Sequence, residues 1–228
     1  MSKKCIISFS NSSGNYMKAQ ARLGESLKDN FAGDFLGYIG ESTIGSPLHA
    51  ENPYAFKVYA FLAAMEAGYT QILWVDSSCY AIKNVQPIFD KIEADGYFMQ
   101  EIGHHIGTWT NDFTLNYFGL TRDEAMEMQC FSCGGYFGLN FEKPIAKGFL
   151  EMWAAAMEAG CFIGAWDNRG KTESQDERCK GHRHDLSCGS IIANKLGMTG
   201  VPGNEWFQYA GPEDVVNNDT IIFKLQGM

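Results

Sequence analysis

Three short stretches carry most of the groups that can do chemistry. The first is Gln71-Ile72-Leu73-Trp74-Val75-Asp76-Ser77-Ser78, an apolar run that ends in a carboxylate and two hydroxyls. The run is too short for a helix of its own and fits a strand buried on both faces. Asp76 then falls at the carboxyl end of that strand, where open α/β sheets bind ligands. A carboxylate there suits a cation or a ligand hydroxyl; it equally suits a turn, which Asp and Ser both favour. The second stretch is His182-Arg183-His184-Asp185-Leu186-Ser187. Asp185 precedes an apolar-periodic run, so it reads as a helix N-cap. His182 and His184 flank Arg183 and add positive potential when protonated. The third is Ser132-Cys133-Gly134-Gly135-Tyr136-Phe137-Gly138-Leu139-Asn140, whose glycines permit close backbone approach. Lys57, in Tyr54-Ala55-Phe56-Lys57, lies beside an apolar helix face, where a lysine commonly snorkels. Cys130-Phe131-Ser132-Cys133 has redox or zinc spacing, but no second Cys-x-x-Cys completes a zinc set, so small core residues are the better reading.

The elements that must position these groups follow from periodicity and punctuation. Residues 5–10 read as a first strand, 11–15 as a polar turn, and 16–29 as a helix. A second strand is expected over 35–39 and a loop over 40–51. The spacing predicts a helix over 53–67, with Pro53 in its first turn and Gly68 just past its end. After the central strand come a helix over 85–94 and a strand over 97–100. Residues 101–118 show no clean period and read as a loop over a site. Thr121 and Glu124 make a capping box for a helix over 121–128. A glycine-rich strand follows over 133–140, then a helix over 145–159. Residues 165–180 read as a mobile charged loop, 184–196 as a helix, and 220–225 as a last strand. Ala-Met-Glu-Ala-Gly occurs at 64–68 and again at 156–160, which reads as two similar helix ends and not as an internal repeat. Strands alternating with helices predict one α/β domain over 1–228, with a mostly parallel sheet covered on both faces.

Composition narrows the class. The net charge of -9 argues against a general nucleic-acid or anionic-membrane binder. No apolar stretch is long enough to span a bilayer. The start, Met-Ser-Lys-Lys-Cys-Ile-Ile-Ser-Phe-Ser, lacks the apolar core of a signal peptide and is better used as the first strand. Seven cysteines, an odd number in a chain of this size, read as reduced thiols of a cytoplasmic protein.

In their order and spacing these fragments, with Asn15-Tyr16 after the first strand and Ile221-Ile222-Phe223-Lys224-Leu225-Gln226-Gly227 at the end, resemble GT-A-fold glycosyltransferases. The layout is similar to the galactinol-synthase and glycogenin-like group and to small viral and bacterial sugar transferases. The resemblance implies a Rossmann-like domain that moves a sugar from a nucleoside-diphosphate sugar to a hydroxyl of a sugar or glycan acceptor. It implies a donor site of Ser8, Asn15, Tyr16, Lys57, Asp76, Ser78, Gly134, Gly135, His184 and Lys224, with Asn15 and Tyr16 beside the base. It implies that Asp185 is the catalytic carboxylate, as base for the acceptor hydroxyl or partner for donor hydroxyls. Trp74-Val75-Asp76-Ser77-Ser78 resembles the family's Asp-x-Asp motif, which holds manganese or magnesium on the diphosphate; Asp76 would be the ligand here. Two departures weaken that metal site: Ser78 stands at the second acid, and Lys224, counted back from Gly227, stands at a usual histidine. Metal dependence is therefore expected to be weak, with Lys224 supplying charge. Asp76, Ser78, Asp185 and Lys57 are expected around one pocket, with the 101–118 and 165–180 segments at its rim. Two other functions fit the same fold. A sugar-phosphate nucleotidyltransferase would carry a glycine-rich basic loop after its first strand, and Asn11–Asn15 has one glycine and no base. A non-catalytic carbohydrate-binding module fits the missing second acid.

Overall fold

A computed structural model describes residues 3–210 and 219–226. Its central sheet runs in the order β2 (Asp34–Ile39), β1 (Lys4–Ser10), β3 (Gln71–Val75), β8 (Tyr136–Asn140), β5 (Tyr97–Phe98). β1 is parallel to β2 and to β3, while β8 is antiparallel to both β3 and β5. Only β8 is therefore reversed in an otherwise parallel sheet, which makes the sheet mixed. The reversal matters for the site. It brings the start of β8, with Gly134 and Gly135 just before it, alongside the end of β3.

The strands are buried on both faces, and their period of two divides the core into two layers. Ile7, Phe9, Ile72, Trp74 and Phe137 pack under α2 (Phe56–Glu66), α6 (Pro144–Glu158) and α7 (His184–Lys195). Ile6, Leu73 and Val75 face the other way, toward α1 (Gly14–Leu27) and α3 (Gln86–Asp95). That second layer also holds a small sheet in which β10 (Phe223–Leu225) lies between β4 (Cys79–Ala81) and β9 (Phe207–Tyr209). The repeated pentapeptide does end two helices in the same way. Gly68 and Gly160 both sit at φ 86°. Gly68 N–H and Tyr69 N–H bond back to Met65 and Ala64, just as Gly160 N–H and Cys161 N–H bond back to Met157 and Ala156. Each is a Schellman stop, with glycine taking the left-handed position.

Two expectations needed correction. The helix expected from Pro53 starts at Phe56, because Tyr54 has φ 62° and cannot be helical. The 101–118 segment is not structureless. β6 (Glu101–His105) pairs with β7 (Gln129–Phe131), and α4 (Asp112–Tyr117) follows, its N-cap Asn111 accepting a bond from Thr114 N–H. α5 (Arg122–Glu127) then begins with the expected capping box. The 165–180 segment has no helix or strand, yet it is tied internally and to its neighbours. Asn168 donates to Ser174 O and Cys179 O, and Lys180 N–H donates to Thr108 O. Among the described residues, no helix is long and apolar enough to cross a membrane.

Candidate functional site

The ends of β1 and β3, the start of β8 and the first turns of α2 and α7 converge on one edge of the sheet. Two chambers open there. One, of about 480 Å³, is lined by Phe9, Tyr16, Glu41, His49 and Phe56 among others; the second, of about 500 Å³, by Trp109, Gly134, Trp166, Arg183, Asp185 and Tyr209 among others. Tyr54, Lys57, Asp76 and Ser78 line both, and so form the threshold between them.

Lys57 is the hub. The apolar character of α2 drives this helix into the core and takes the lysine with it, leaving the side chain 3 % exposed. It does not snorkel. Its ammonium donates to Asp185 Oδ2 at 2.5 Å and to Gly134 O, and lies 4.0 Å from Asp76 Oδ1. The rings of Tyr54 and Trp74 sit 4.8 and 5.4 Å from it. A buried ammonium demands such company, since an unpaired charge in the interior is very costly. Gly134 carries no side chain because α7 packs directly on it: a Cβ there would lie 2.9 Å from Leu186 Cβ.

Asp185 lies in the first turn of α7 and is not its cap, a position that Arg183 holds. Burial pushes its carboxyl up from the ordinary range, and Lys57 and nearby backbone N–H groups pull it back down. Asp76 is held at the end of β3 by its N–H to Gly135 O and by Trp74 Nε1, which donates to Oδ1 at 2.9 Å. Its side chain keeps 40 % exposure to the cleft. Burial raises its carboxyl too, against the pull of Lys57. Tyr54, wedged between these groups, adopts a backbone region that costs a non-glycine residue roughly 1 kcal/mol or more.

Of the residues expected at the site, Tyr16, Lys57, Asp76, Ser78, Gly134, Gly135 and Asp185 all line the chambers. Four line neither. Ser8 is fully buried in β1, on the face opposite Phe9, and Asn15 is exposed on α1. His184 is buried behind Tyr54 and Trp166, with Nδ1 bonded to Phe162 O. Lys224 is 2 % exposed in the middle strand of the small sheet. Leu225 and Gln226 line the cleft, whereas Lys224 does not. Gly227, from which its register was counted, lies outside the described residues. Neither histidine lends positive potential. Burial lowers both, His182 to about 3, and His182 is fixed between Asn111 N–H and Cys161 O.

Among the described residues, the groups at the cleft do not make a resident site for manganese or magnesium. Among the described residues no three His, Cys, Asp or Glu side chains come together as a ligand set. Asp76 offers one carboxylate, already engaged on Oδ1, with an ammonium 4.0 Å away. A hard cation wants six or more oxygens.

The 101–118 and 165–180 segments stand at the second chamber as expected, through Trp109 and Trp166, and Arg183 comes from the 182–187 stretch. Sequence reading did not single out the rings of Trp109, Trp166 and Tyr209, which come from separated segments. Trp166 reaches the cleft because Gly181 lets the returning chain pass: a Cβ there would lie 2.1 Å from Trp166 O.

No family model matches this sequence, and no curated protein matches it. Among solved structures, the apo structure of the bifunctional glycosyltransferase WbbM is similar, with a TM-score of 0.54 at 11 % identity. The match covers 98 % of the present chain and 45 % of that one, so this chain spans less than half its length. At such identity the likeness speaks for a glycosyltransferase-like fold.

Proposed function

We propose that this chain is a glycosyltransferase that moves a sugar from a nucleoside-diphosphate sugar to a hydroxyl of a sugar or glycan acceptor. One observation carries the reading: two chambers meet across a threshold that holds a buried cation and two carboxylates, at the strand ends of a glycosyltransferase-like fold. The nucleoside occupies the first chamber, its base on the half-exposed ring of Tyr16. The diphosphate lies over the threshold, within reach of Lys57 and Ser78. The sugar extends into the second chamber beside Asp185, where the acceptor also enters.

In transfer, the acceptor oxygen bonds to the anomeric carbon while the bond from that carbon to the diphosphate oxygen breaks. The nucleoside diphosphate leaves with the electron pair, and the hydroxyl's proton passes to a base. Asp185 serves that base role or holds the donor's hydroxyls. Lys57 answers the charge that grows on the leaving diphosphate. It takes the part expected of Lys224, and transfer without a resident metal is part of this proposal. All seven cysteines are buried thiols, which fits a reducing cytoplasm.

The test is a thermal-shift screen of nucleoside diphosphates, followed by donor turnover. A ligand at one hundred times its Kd stabilises the native state by about 2.7 kcal/mol. Binding followed by transfer or donor hydrolysis is expected. Binding without turnover of any nucleotide-sugar would favour a carbohydrate-binding module, and release of pyrophosphate from a nucleoside triphosphate would favour a nucleotidyltransferase.

A further inference from the structure

We propose that the acceptor is an acidic saccharide and that Arg183 reads its anionic group, an inference that rests on the glycosyltransferase reading. The guanidinium of Arg183 lies between two indoles, 3.9 Å from the ring of Trp109 and 4.4 Å from that of Trp166. Nη1 donates to Trp166 O at 2.6 Å and to His182 O at 3.4 Å. The group is thus held in one place by two stacking contacts and two backbone acceptors. Among the described residues, no carboxylate lies within 4.0 Å of it, and Nε and Nη2 have no partner.

The contrast with Lys57 is informative. Both cations line the second chamber, and Lys57 is already matched by Asp185, with Asp76 nearby. Arg183 keeps an unmatched charge in a chain whose net charge is -9. Two N–H groups on one rigid plane suit a carboxylate or phosphate, which can accept both. Because stacking has already fixed the side chain, little conformational freedom remains to be lost when an anion binds.

Its position sets that anion apart from the donor's diphosphate, and the open aromatic faces beside it point to the acceptor. Arg183 lines only the second chamber, whereas the diphosphate threshold is shared with the nucleoside chamber and is served by Lys57. The same chamber presents Trp166, 54 % exposed, and Tyr209, 76 % exposed. Open aromatic faces beside a cleft suit the apolar C–H face of a pyranose. An acceptor with a sugar ring and an acidic substituent uses both features.

The experiment is a saccharide array with matched neutral, uronic-acid, sialylated and phosphorylated members, read with saturating nucleoside diphosphate for the parent and for Arg183→Gln. Acidic members should be retained in preference to their neutral partners. Their signal should fall at least tenfold in Arg183→Gln, while nucleotide affinity, measured on the same samples, stays unchanged. Arg183→Lys should recover only part of the loss, since it restores the charge without the fork. Retention of carboxylated or of phosphorylated members alone names the anion. If nucleotide binds but retention is confined to neutral members, is absent, or is equal in parent and Arg183→Gln, the inference is wrong. The neutral-against-acidic comparison in the parent decides it even if the variant does not fold. If no nucleoside diphosphate binds, the glycosyltransferase reading itself fails, and this inference with it.

Discussion

The two chambers share a threshold but are built differently. The first stands on the scaffold. Phe9 closes β1 and stacks on Phe56, with ring centroids 4.1 Å apart, and Trp74 packs beside them from β3. Its walls are continuous with the core, so its shape is set by the same packing that holds the sheet and α2 together. The second chamber's outer wall comes from chain outside the central sheet: the turn before α4, the segment leading to α7, and β9. The difference teaches where each kind of recognition is placed. On the proposed reading, the nucleoside would be bound by the framework, while the acceptor would be read by loop segments, where binding residues are common.

The largest effect should come from the residue that faces the second chamber at that threshold. Asp185→Asn should reduce transfer roughly 10²–10⁴-fold, the usual worth of a positioned acid or base. Nucleotide affinity should change little, because the first chamber is untouched. Burial raises the Asp185 carboxyl, and the active form is the carboxylate. Activity should therefore be full at neutral pH and fall on acidification with a midpoint above the ordinary 3.8 of an aspartate. Equal transfer by parent and variant would remove Asp185 from the mechanism.

Lys57 tests whether the threshold joins the chambers or merely separates them. Lys57→Met removes one partner of a buried ion pair, which costs about 3–5 kcal/mol, and it should lower nucleotide affinity and transfer together. Adding Asp185→Leu should recover much of the melting temperature, since two matched apolar groups replace an orphaned carboxylate, but no transfer. A double variant that transfers sugar would show that the ion pair is structural only.

The division between the chambers also explains what the sequence disclosed. β3 and Asp76 were legible because a wholly apolar run ending in an acid has few other readings. The Schellman stops at Gly68 and Gly160 and the cap at Thr121 were legible because their signals are local. The Lys57–Asp185 pair spans 128 positions, and no local pattern announces it. The Arg183 stack needs Trp109 and Trp166 brought in from separate loops. Tyr54 reads as a good helical residue; only the packed cleft makes it left-handed. Asn15 and Ser8 were expected from resemblance alone, which fixes an element more surely than the direction of a side chain.

Two milder perturbations sharpen the contrast. Tyr16→Ala should weaken nucleoside diphosphate binding about tenfold, since base stacking on an aromatic ring is worth about 1–3 kcal/mol, and should leave saccharide retention alone. Calorimetric titration of both ligands checks this; parallel losses would mean that the chambers are not independent. Excess chelator should leave transfer by the parent within about twofold, as Lys57 supplies the charge that a cation would otherwise provide. Complete loss on chelation, restored by manganese, would show that Asp76 holds a metal during turnover.

The smallest expected effect discriminates between neighbours in sequence. Asn15 and Tyr16 are consecutive on α1, but successive residues of a helix point about 100° apart. Tyr16 lines the first chamber, while Asn15 is exposed and lines neither. Asn15→Ala should therefore change the Kd for nucleoside diphosphate by less than about twofold, within the scatter of a surface substitution of ±0.5 kcal/mol. The same titration that finds Tyr16→Ala tenfold weaker should find Asn15→Ala close to parent. The opposite ranking would mean that the base approaches α1 along its solvent-exposed side, and that the ring of Tyr16 does not hold it.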